Sequence, residues 1–118
     1  MITVYCYARC TTCRKALKWL DEREIAYRPV DIKTDHPDET VLRRLHRLSG
    51  LPLRKFFNTS GMLYRKLELS KKLPEMSEEE MLSLLAADGM LVKRPLVITD
   101  DSVLLGFKED VWEQALQK

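Results

Sequence analysis

A Cys-x-x-Cys pair, Cys10 and Cys13, lies between a strand-like and a helix-like segment, and it limits the possible folds more than any other feature of the sequence. Residues 2–7 alternate so that one face of the segment is apolar, which is typical of a half-buried strand. Residues 11–23 carry apolar side chains at helical spacing. The pair is therefore predicted to lie where the first strand passes into the first helix.

The position of Cys10, at or just before the first helical residue, predicts a reactive thiol. Unpaired backbone N–H groups and the helix dipole favour negative charge at a helix N-terminus, and the thiolate is the nucleophilic form of cysteine. Arg9 and Arg14 add positive charge nearby. Cys13, one turn into the helix, faces the core side and is well placed to attack a bond formed at Cys10. We therefore predict a nucleophile and a resolving thiol within one turn.

A structural zinc site is the main alternative for a Cys-x-x-Cys, but such a site needs two further ligands. The other candidates are Cys6, which lies inside the predicted strand, and His36 and His46, which have no paired spacing. A redox-active pair is therefore favoured over a zinc site within the chain and over inert thiols, and no metal is expected. Zinc shared between two chains stays open as an alternative.

The length and charge of the chain restrict its class. Its 118 residues fit one domain, 1–118. The net charge of +2 favours neither direct nucleic-acid binding nor a membrane surface, and no apolar run approaches the roughly 18 residues of a membrane span. The 3 cysteines are too few for a disulfide scaffold, and no signal-peptide pattern precedes the first of the paired thiols. We therefore expect a cytoplasmic protein without a membrane partner.

The remaining segments predict the element order of a thioredoxin-like fold. A second strand covers residues 27–32, where Pro29 indicates an edge position because proline cannot donate a ladder hydrogen bond. A helical block follows at about 38–88, and a hairpin over 96–106 precedes a helix that begins at Glu109. The prediction is an α/β fold in which a βαβ half and a ββα half share a mixed four-stranded sheet, with the helical block inserted between them.

Capping signals mark two helices inside this block. Asp38 is predicted to lie at the start of the first, and Gly50 is predicted to cap its end. Ser77 followed by Glu80 has the spacing of a capping box, which predicts the start of another helix.

Several stretches together match one known family. They are Cys10-x-x-Cys13-Arg14-Lys15 after the short strand, Lys93-Arg94-Pro95-Leu96 before the hairpin, and residues 55–61 and 88–95. With the inserted helices, nearly the full chain resembles the arsenate reductase (ArsC)/Spx family of thioredoxin-like proteins. The resemblance is strongest to the branch labelled "arsenate reductase-like" that carries a Cys-x-x-Cys.

The resemblance implies roles for two arginines. In the arsenate reductases the cysteine that corresponds to Cys10 attacks arsenate, and three arginines hold the oxyanion. Arg54 and Arg94 match two of these by position and context, whereas the third would fall near Gly106-Phe107, where this chain has no arginine. Because a tetrahedral dianion requires several charged donors, we expect poor or no arsenate reductase activity.

The segment around Arg94 is also similar to the cis-proline loop, which packs against the Cys-x-x-Cys in this fold. We therefore expect a cis Arg94–Pro95 peptide bond. We also expect Arg54 and Arg94 to converge with Cys10 on one pocket at the N-terminus of the first helix.

The first helical turn supplies further candidates for anion binding. Thr11 and Thr12 are expected to help hold an anion through their N–H and hydroxyl groups. Arg14 adds a charged donor in the same turn.

The preferred functional hypothesis is a thiol-disulfide oxidoreductase with no bound cofactor. Cys10 attacks an oxidised substrate or disulfide, and Cys13 resolves the adduct. Glutathione, glutaredoxin or thioredoxin is the expected reductant. The alternatives implied by the resemblance are a redox-sensing regulator similar to Spx, which binds the RNA polymerase alpha subunit, and a true arsenate reductase.

Overall fold

The computed structural model describes residues 2–116, which follow the element order predicted from the sequence. The strands are β1 (Ile2–Cys6), β2 (Tyr27–Asp31), β3 (Leu96–Ile98) and β4 (Val103–Leu105). The helices are α1 (Thr11–Glu22), α2 (Glu39–Ser49), α3 (Met62–Lys66), α4 (Leu69–Lys72), α5 (Glu78–Ala87) and α6 (Glu109–Leu116). Short 3-10 helices cover Leu53–Phe56, Leu73–Glu75 and Gly89–Leu91.

The four strands form one mixed sheet in the order β2-β1-β3-β4. β1 runs parallel to β2 across the α1 crossover, and β3 lies antiparallel to both β1 and β4. β2 is an edge strand, as Pro29 predicted. The sheet therefore joins a βαβ half to a ββα half, with α2 to α5 inserted between them, and the thioredoxin-like prediction is confirmed.

The predicted caps hold the inserted helices at their ends. The Asp38 carboxylate accepts a hydrogen bond from the Val41 N–H at 2.9 Å, and Gly50 ends α2 with φ of 67°. At α5, the Ser77 hydroxyl accepts from the Glu80 N–H at 3.1 Å, and the Glu80 carboxylate accepts in return from the Ser77 N–H at 3.0 Å. Local sequence signals therefore position the inserted block.

The core lies on both faces of the sheet because neighbouring strand residues point in opposite directions. Val97 and Leu104 belong to a cluster beneath α1 and α6, which also contains Cys13, Trp19 and Trp112. The alternate strand residues join a larger cluster formed with the inserted helices. Within residues 2–116, no helix combines the length and apolar character needed to cross a membrane.

The inserted block contacts the βαβ half closely at Gly89. A Cβ atom on Gly89 would lie 1.9 Å from the Ile32 carbonyl oxygen and 2.7 Å from the Cβ of His36. Only a residue without a side chain fits between these atoms. Gly50, in contrast, has open space around its Cα, and its positive φ is its only restriction.

Replacing these two glycines by alanine tests this packing. Gly89→Ala is expected to lower the free energy of unfolding by about 3 kcal/mol, because the backbone of the 31–36 segment must shift. Gly50→Ala, the matched control, is expected to lower it by about 1 kcal/mol, because only backbone strain is added. Urea unfolding followed by circular dichroism measures both. An equal or smaller loss for Gly89→Ala would contradict the close contact.

Candidate active site

Cys10 lies immediately before α1, at its N-cap, as the sequence predicted. Its N–H donates to the Tyr7 carbonyl at 2.9 Å, and its own carbonyl accepts from the Arg14 N–H at 3.1 Å. The residue is partly exposed, whereas Cys13 in the first turn is 1% exposed. The pair therefore presents one accessible thiol and one buried thiol, and both are free.

Cys13 is surrounded by hydrogen-bonding partners. Its sulfur accepts from the Tyr7 N–H at 3.4 Å, and its thiol hydrogen-bonds with the thiols of Cys6 and Cys10. The hydrogen bond with Cys6, followed by burial, raises the pKa of the Cys13 thiol above its usual range, and the Tyr7 N–H opposes this effect. Cys13 therefore rests as a protonated thiol, which is the state of a resolving group that acts only after the first bond has formed.

A cleft of about 770 Å³ opens over Cys10. Its walls are Thr12 of α1, the turn and helix start over residues 58–63, and parts of the segments 88–94 and 105–108. Three cationic side chains border it, namely Lys93, Arg94 and Lys108, against one carboxylate, that of Asp88. The cleft therefore has an excess of positive charge beside the accessible thiol, which favours an anionic ligand.

Arg94 is fixed along the cleft wall. Its Nη1 donates to the Met90 carbonyl at 3.3 Å, and its guanidinium carbon lies 5.6 Å from the centre of the Tyr7 ring. Its Nε is buried and forms no hydrogen bond with any residue in the range 2–116. The Arg94–Pro95 peptide bond is cis, as predicted. The guanidinium thus retains a donor that the described protein atoms do not satisfy.

Lys93 occupies the region where the family resemblance would place a third arginine. A Cβ atom on Gly106 would lie 3.0 Å from the Lys93 Cε and 3.9 Å from its Nζ, so the lysine crosses the face of Gly106. Gly106 has φ of 73°, a conformation that favours glycine. Sequence reasoning missed Lys93 as a site residue, although it directly precedes Arg94 in the matched motif.

The predicted convergence of Arg54 with Cys10 is wrong. Arg54 is exposed and lines a neighbouring cleft of about 540 Å³, together with Tyr64 and other residues of the inserted block. The 3-10 helix that carries it buries Leu53 and Phe56, and this leaves Arg54 on the outward side. Arg94 is therefore the only one of the two predicted arginines that lines the cleft over Cys10.

The three residues predicted to bind an anion in the first turn of α1 differ in their positions relative to the cleft. Thr12 lines the cleft, whereas Thr11 is exposed outside it. The Arg14 Nε donates to the Ala8 carbonyl at 2.8 Å, and its side chain does not line the cleft. Arg14 therefore holds the turn that precedes Cys10, and its side chain lies outside the cleft in which it was predicted to contact an anion.

The histidines considered as zinc ligands lie on different segments, His36 between β2 and α2 and His46 within α2. The His46 Nε2 lies 3.7 Å from a carboxylate oxygen of Glu78, and the His36 Nδ1 is 3.4 Å from the Pro37 carbonyl. Within the part of the chain that the structure describes, no group of three or more His, Cys, Asp or Glu side chains assembles into a metal-binding arrangement.

Comparison with known proteins places this geometry in a family. A model of the ArsC family matches residues 5–115. YusI, an uncharacterised protein of Bacillus subtilis, is 51% identical over 113 residues, which cover 96% of each chain. The global transcriptional regulator Spx of Enterococcus faecalis is 28% identical over 110 residues, which cover 93% of this chain and 82% of Spx. The solved structure of an ArsC family related protein from Bacteroides fragilis has 51% sequence identity and a TM-score of 0.93, covering 96% of this chain and 95% of its own.

Replacing Arg94 by glutamine tests whether its charge serves the cleft. We expect Arg94→Gln to slow the reaction of Cys10 with the anionic aromatic disulfide dithiobis(nitrobenzoate) about tenfold, because one charge-assisted contact is lost. The reaction with the neutral dithiodipyridine is expected to stay unchanged. Stopped-flow absorbance measures both rates. Arg54→Gln, in the neighbouring cleft, is the matched control and is expected to leave both rates unchanged. Equal slowing with the two reagents, or by the two substitutions, would contradict the assignment.

Proposed function

We propose that this chain, which belongs to the ArsC family, is a thiol-disulfide oxidoreductase in which Cys10 is the nucleophile and Cys13 is the resolving thiol. The observation that carries the proposal is the pairing of a partly exposed Cys10 at the start of α1 with the buried thiol of Cys13 beneath it. A thiolate at a helix N-terminus is stabilised by the N–H groups and the dipole of the helix. The position of the thiol pair at the start of α1 supports attack by Cys10 on a disulfide bound in the cleft.

The reaction divides into two thiol exchanges. The Cys10 thiolate attacks one sulfur of a substrate disulfide, a mixed disulfide forms, and the other substrate sulfur leaves as a thiolate. Cys13 then loses its proton and attacks the Cys10 sulfur, which releases the second substrate thiolate and leaves a Cys10–Cys13 disulfide. An external dithiol, or two monothiols, completes the cycle by reducing that disulfide. Thioredoxin, glutaredoxin and glutathione are the proposed reductants.

The charges of the cleft favour a substrate that carries carboxylates. Arg94 offers a planar donor set suited to a carboxylate, while Lys93 and Lys108 add positive charge at the other walls. Each half of glutathione disulfide carries two carboxylates, on the residues that flank the cysteine bearing the sulfur. Arsenate fits less well, since Arg54 lies outside the cleft and lysine supplies a point charge without the paired donors of arginine.

A redox-sensing regulator is the second candidate. The observation that favours it is the similarity to Spx of Enterococcus faecalis along 93% of this chain. In this case the same disulfide changes the affinity for a protein partner, and the resemblance to Spx makes the RNA polymerase alpha subunit the proposed partner. The two candidates differ in turnover, because a sensor is oxidised once and an enzyme cycles.

A substrate panel with wild type and Cys10→Ser tests the proposed function. Glutathione disulfide is supplied with a thioredoxin reducing system, and arsenate with either a thioredoxin or a glutaredoxin reducing system. Consumption of NADPH above the rate measured without the protein is followed. We expect continuous turnover of glutathione disulfide by wild type, none by Cys10→Ser, and little or no turnover of arsenate. The substitution removes the attacking sulfur, so a folded variant is inactive with every substrate.

Each other result has a defined meaning. Efficient, saturable arsenate reduction would contradict the proposal and identify an arsenate reductase. Stoichiometric oxidation without turnover of any substrate would favour the regulator. Undiminished turnover by Cys10→Ser would show that the nucleophile has been assigned to the wrong residue.

A further inference from the structure

We propose that Cys6 is a third redox thiol, which takes over the disulfide first formed between Cys10 and Cys13 and holds it as a buried Cys6–Cys13 bond. The inference rests on the proposed function, because that reaction supplies the first disulfide. It gives a role to a cysteine that lies outside the Cys-x-x-Cys and that the exchange described above does not use. The argument begins with the positions of the three sulfur atoms.

The three thiols are grouped around Cys13. Cys6 is the last residue of β1, and its side chain lies with that of Cys13 in the apolar cluster beneath α1. The Tyr7 N–H, one residue further along the chain, donates to the Cys13 sulfur at 3.4 Å and so fixes this sulfur at the end of β1. Cys13 hydrogen-bonds with both other thiols, and Cys10 packs against the same apolar cluster from the start of α1.

The hydrogen bond between the buried thiols is polarised. Donation from Cys13 lowers the pKa of the Cys6 thiol, although burial and the Asp31 carboxylate act in the opposite direction. The same hydrogen bond raises the pKa of Cys13. This hydrogen bond belongs to the reduced protein, because Cys13 has no proton to donate once it is in the disulfide. Cys6 therefore loses its own proton before the transfer, since a thiolate is the form that attacks a disulfide.

The transfer is a single thiol-disulfide exchange. The Cys6 thiolate attacks the Cys13 sulfur of the Cys10–Cys13 disulfide, the Cys6–Cys13 bond forms, and the Cys13–Cys10 bond breaks. Its electron pair leaves with Cys10, as a thiolate at the N-terminus of α1, where the helix dipole favours negative charge. The number of disulfides is unchanged, so no further oxidant is needed. Before reduction the exchange runs in reverse, because the Cys10 thiolate attacks Cys13 and the Cys10–Cys13 disulfide forms again. The external reductant then reduces that disulfide.

The consequence is an oxidised protein that keeps its accessible nucleophile. Cys6 is 9% exposed and Cys13 is 1% exposed, so the stored disulfide is shielded from bulk thiols. Cys10 is free again at the cleft and can react with a second substrate molecule. A chain with only the Cys10–Cys13 pair would have no reactive thiol after the first oxidation.

Trypsin distinguishes the two disulfides, because it cleaves after Arg9 and after Arg14. A Cys10–Cys13 bond stays inside the peptide 10–14, whereas a Cys6–Cys13 bond joins that peptide to the peptide 1–9. Reduced wild type is treated with one equivalent of dithiodipyridine, and samples are taken over time. Native alkylation with N-ethylmaleimide, acid quenching, digestion and fragmentation by mass spectrometry then locate the disulfide and the labelled thiol.

We expect the bond within peptide 10–14 to appear first and to be replaced by the joined peptides, with the label on Cys10. In Cys6→Ser, the matched control, the disulfide is expected to stay within peptide 10–14, and Cys10 is expected to lose its native labelling completely. A lasting Cys10–Cys13 bond in wild type, with Cys6 free, overturns the transfer. Since this result comes from wild type, it does not depend on the folding of the variant.

Disulfide mapping and the turnover assay together distinguish a failure of this inference from a failure of the proposed function. A stable Cys10–Cys13 bond together with turnover of glutathione disulfide overturns only the transfer to Cys6. The absence of any intramolecular disulfide, with no turnover, overturns both. A bond between Cys6 and Cys10, with the label on Cys13, contradicts the central position of Cys13 and also overturns the transfer.

Discussion

The packing of Cys13 against the carboxyl end of β1 is the contact on which the site depends. The Tyr7 N–H donates to the Cys13 sulfur, and the same buried cluster holds α1 on the sheet. Because Cys13 is fixed one turn inside α1, Cys10 must lie at the N-cap, facing the cleft. The Arg14 side chain secures the intervening turn through the Ala8 carbonyl. The accessible thiol, the buried thiol and the helix N-terminus are thus consequences of one packing arrangement.

The charge of the cleft has a different origin from the reactivity of the thiol. Arg94 and Lys93 come from the segment before β3, and Lys108 comes from the residues before α6, so the ββα half supplies the cations. The βαβ half supplies the thiols. The same scaffold therefore serves an oxidoreductase or a redox-dependent regulator according to what the cleft binds, and fold alone does not decide between them.

The sequence predicted those parts of the structure that depend on local signals. Alternation in β1 and the capping residue Ser77 act within a few positions, so the predictions that rest on them are confirmed. The prediction that Arg54 lines the cleft over Cys10 is wrong. The direction of its side chain depends on which neighbouring residues the core buries, and no local sequence pattern indicates this. The contact of Lys93 with Gly106 joins two separate segments, so the spacing of residues along the chain gave no signal for it.

Intact-protein mass spectrometry of two matched variants tests the central claim that Cys10 attacks and Cys13 resolves. Cys13→Ser and Cys10→Ser are each mixed with glutathione disulfide at neutral pH, and adduct formation is followed over time. The account predicts that Cys13→Ser accumulates one glutathione mixed disulfide, mapped to Cys10, because no resolving sulfur can displace it. Cys10→Ser is predicted to stay unmodified, since its remaining thiols are buried. An equally fast adduct on Cys10→Ser, or an adduct on Cys6 in Cys13→Ser, would contradict the account.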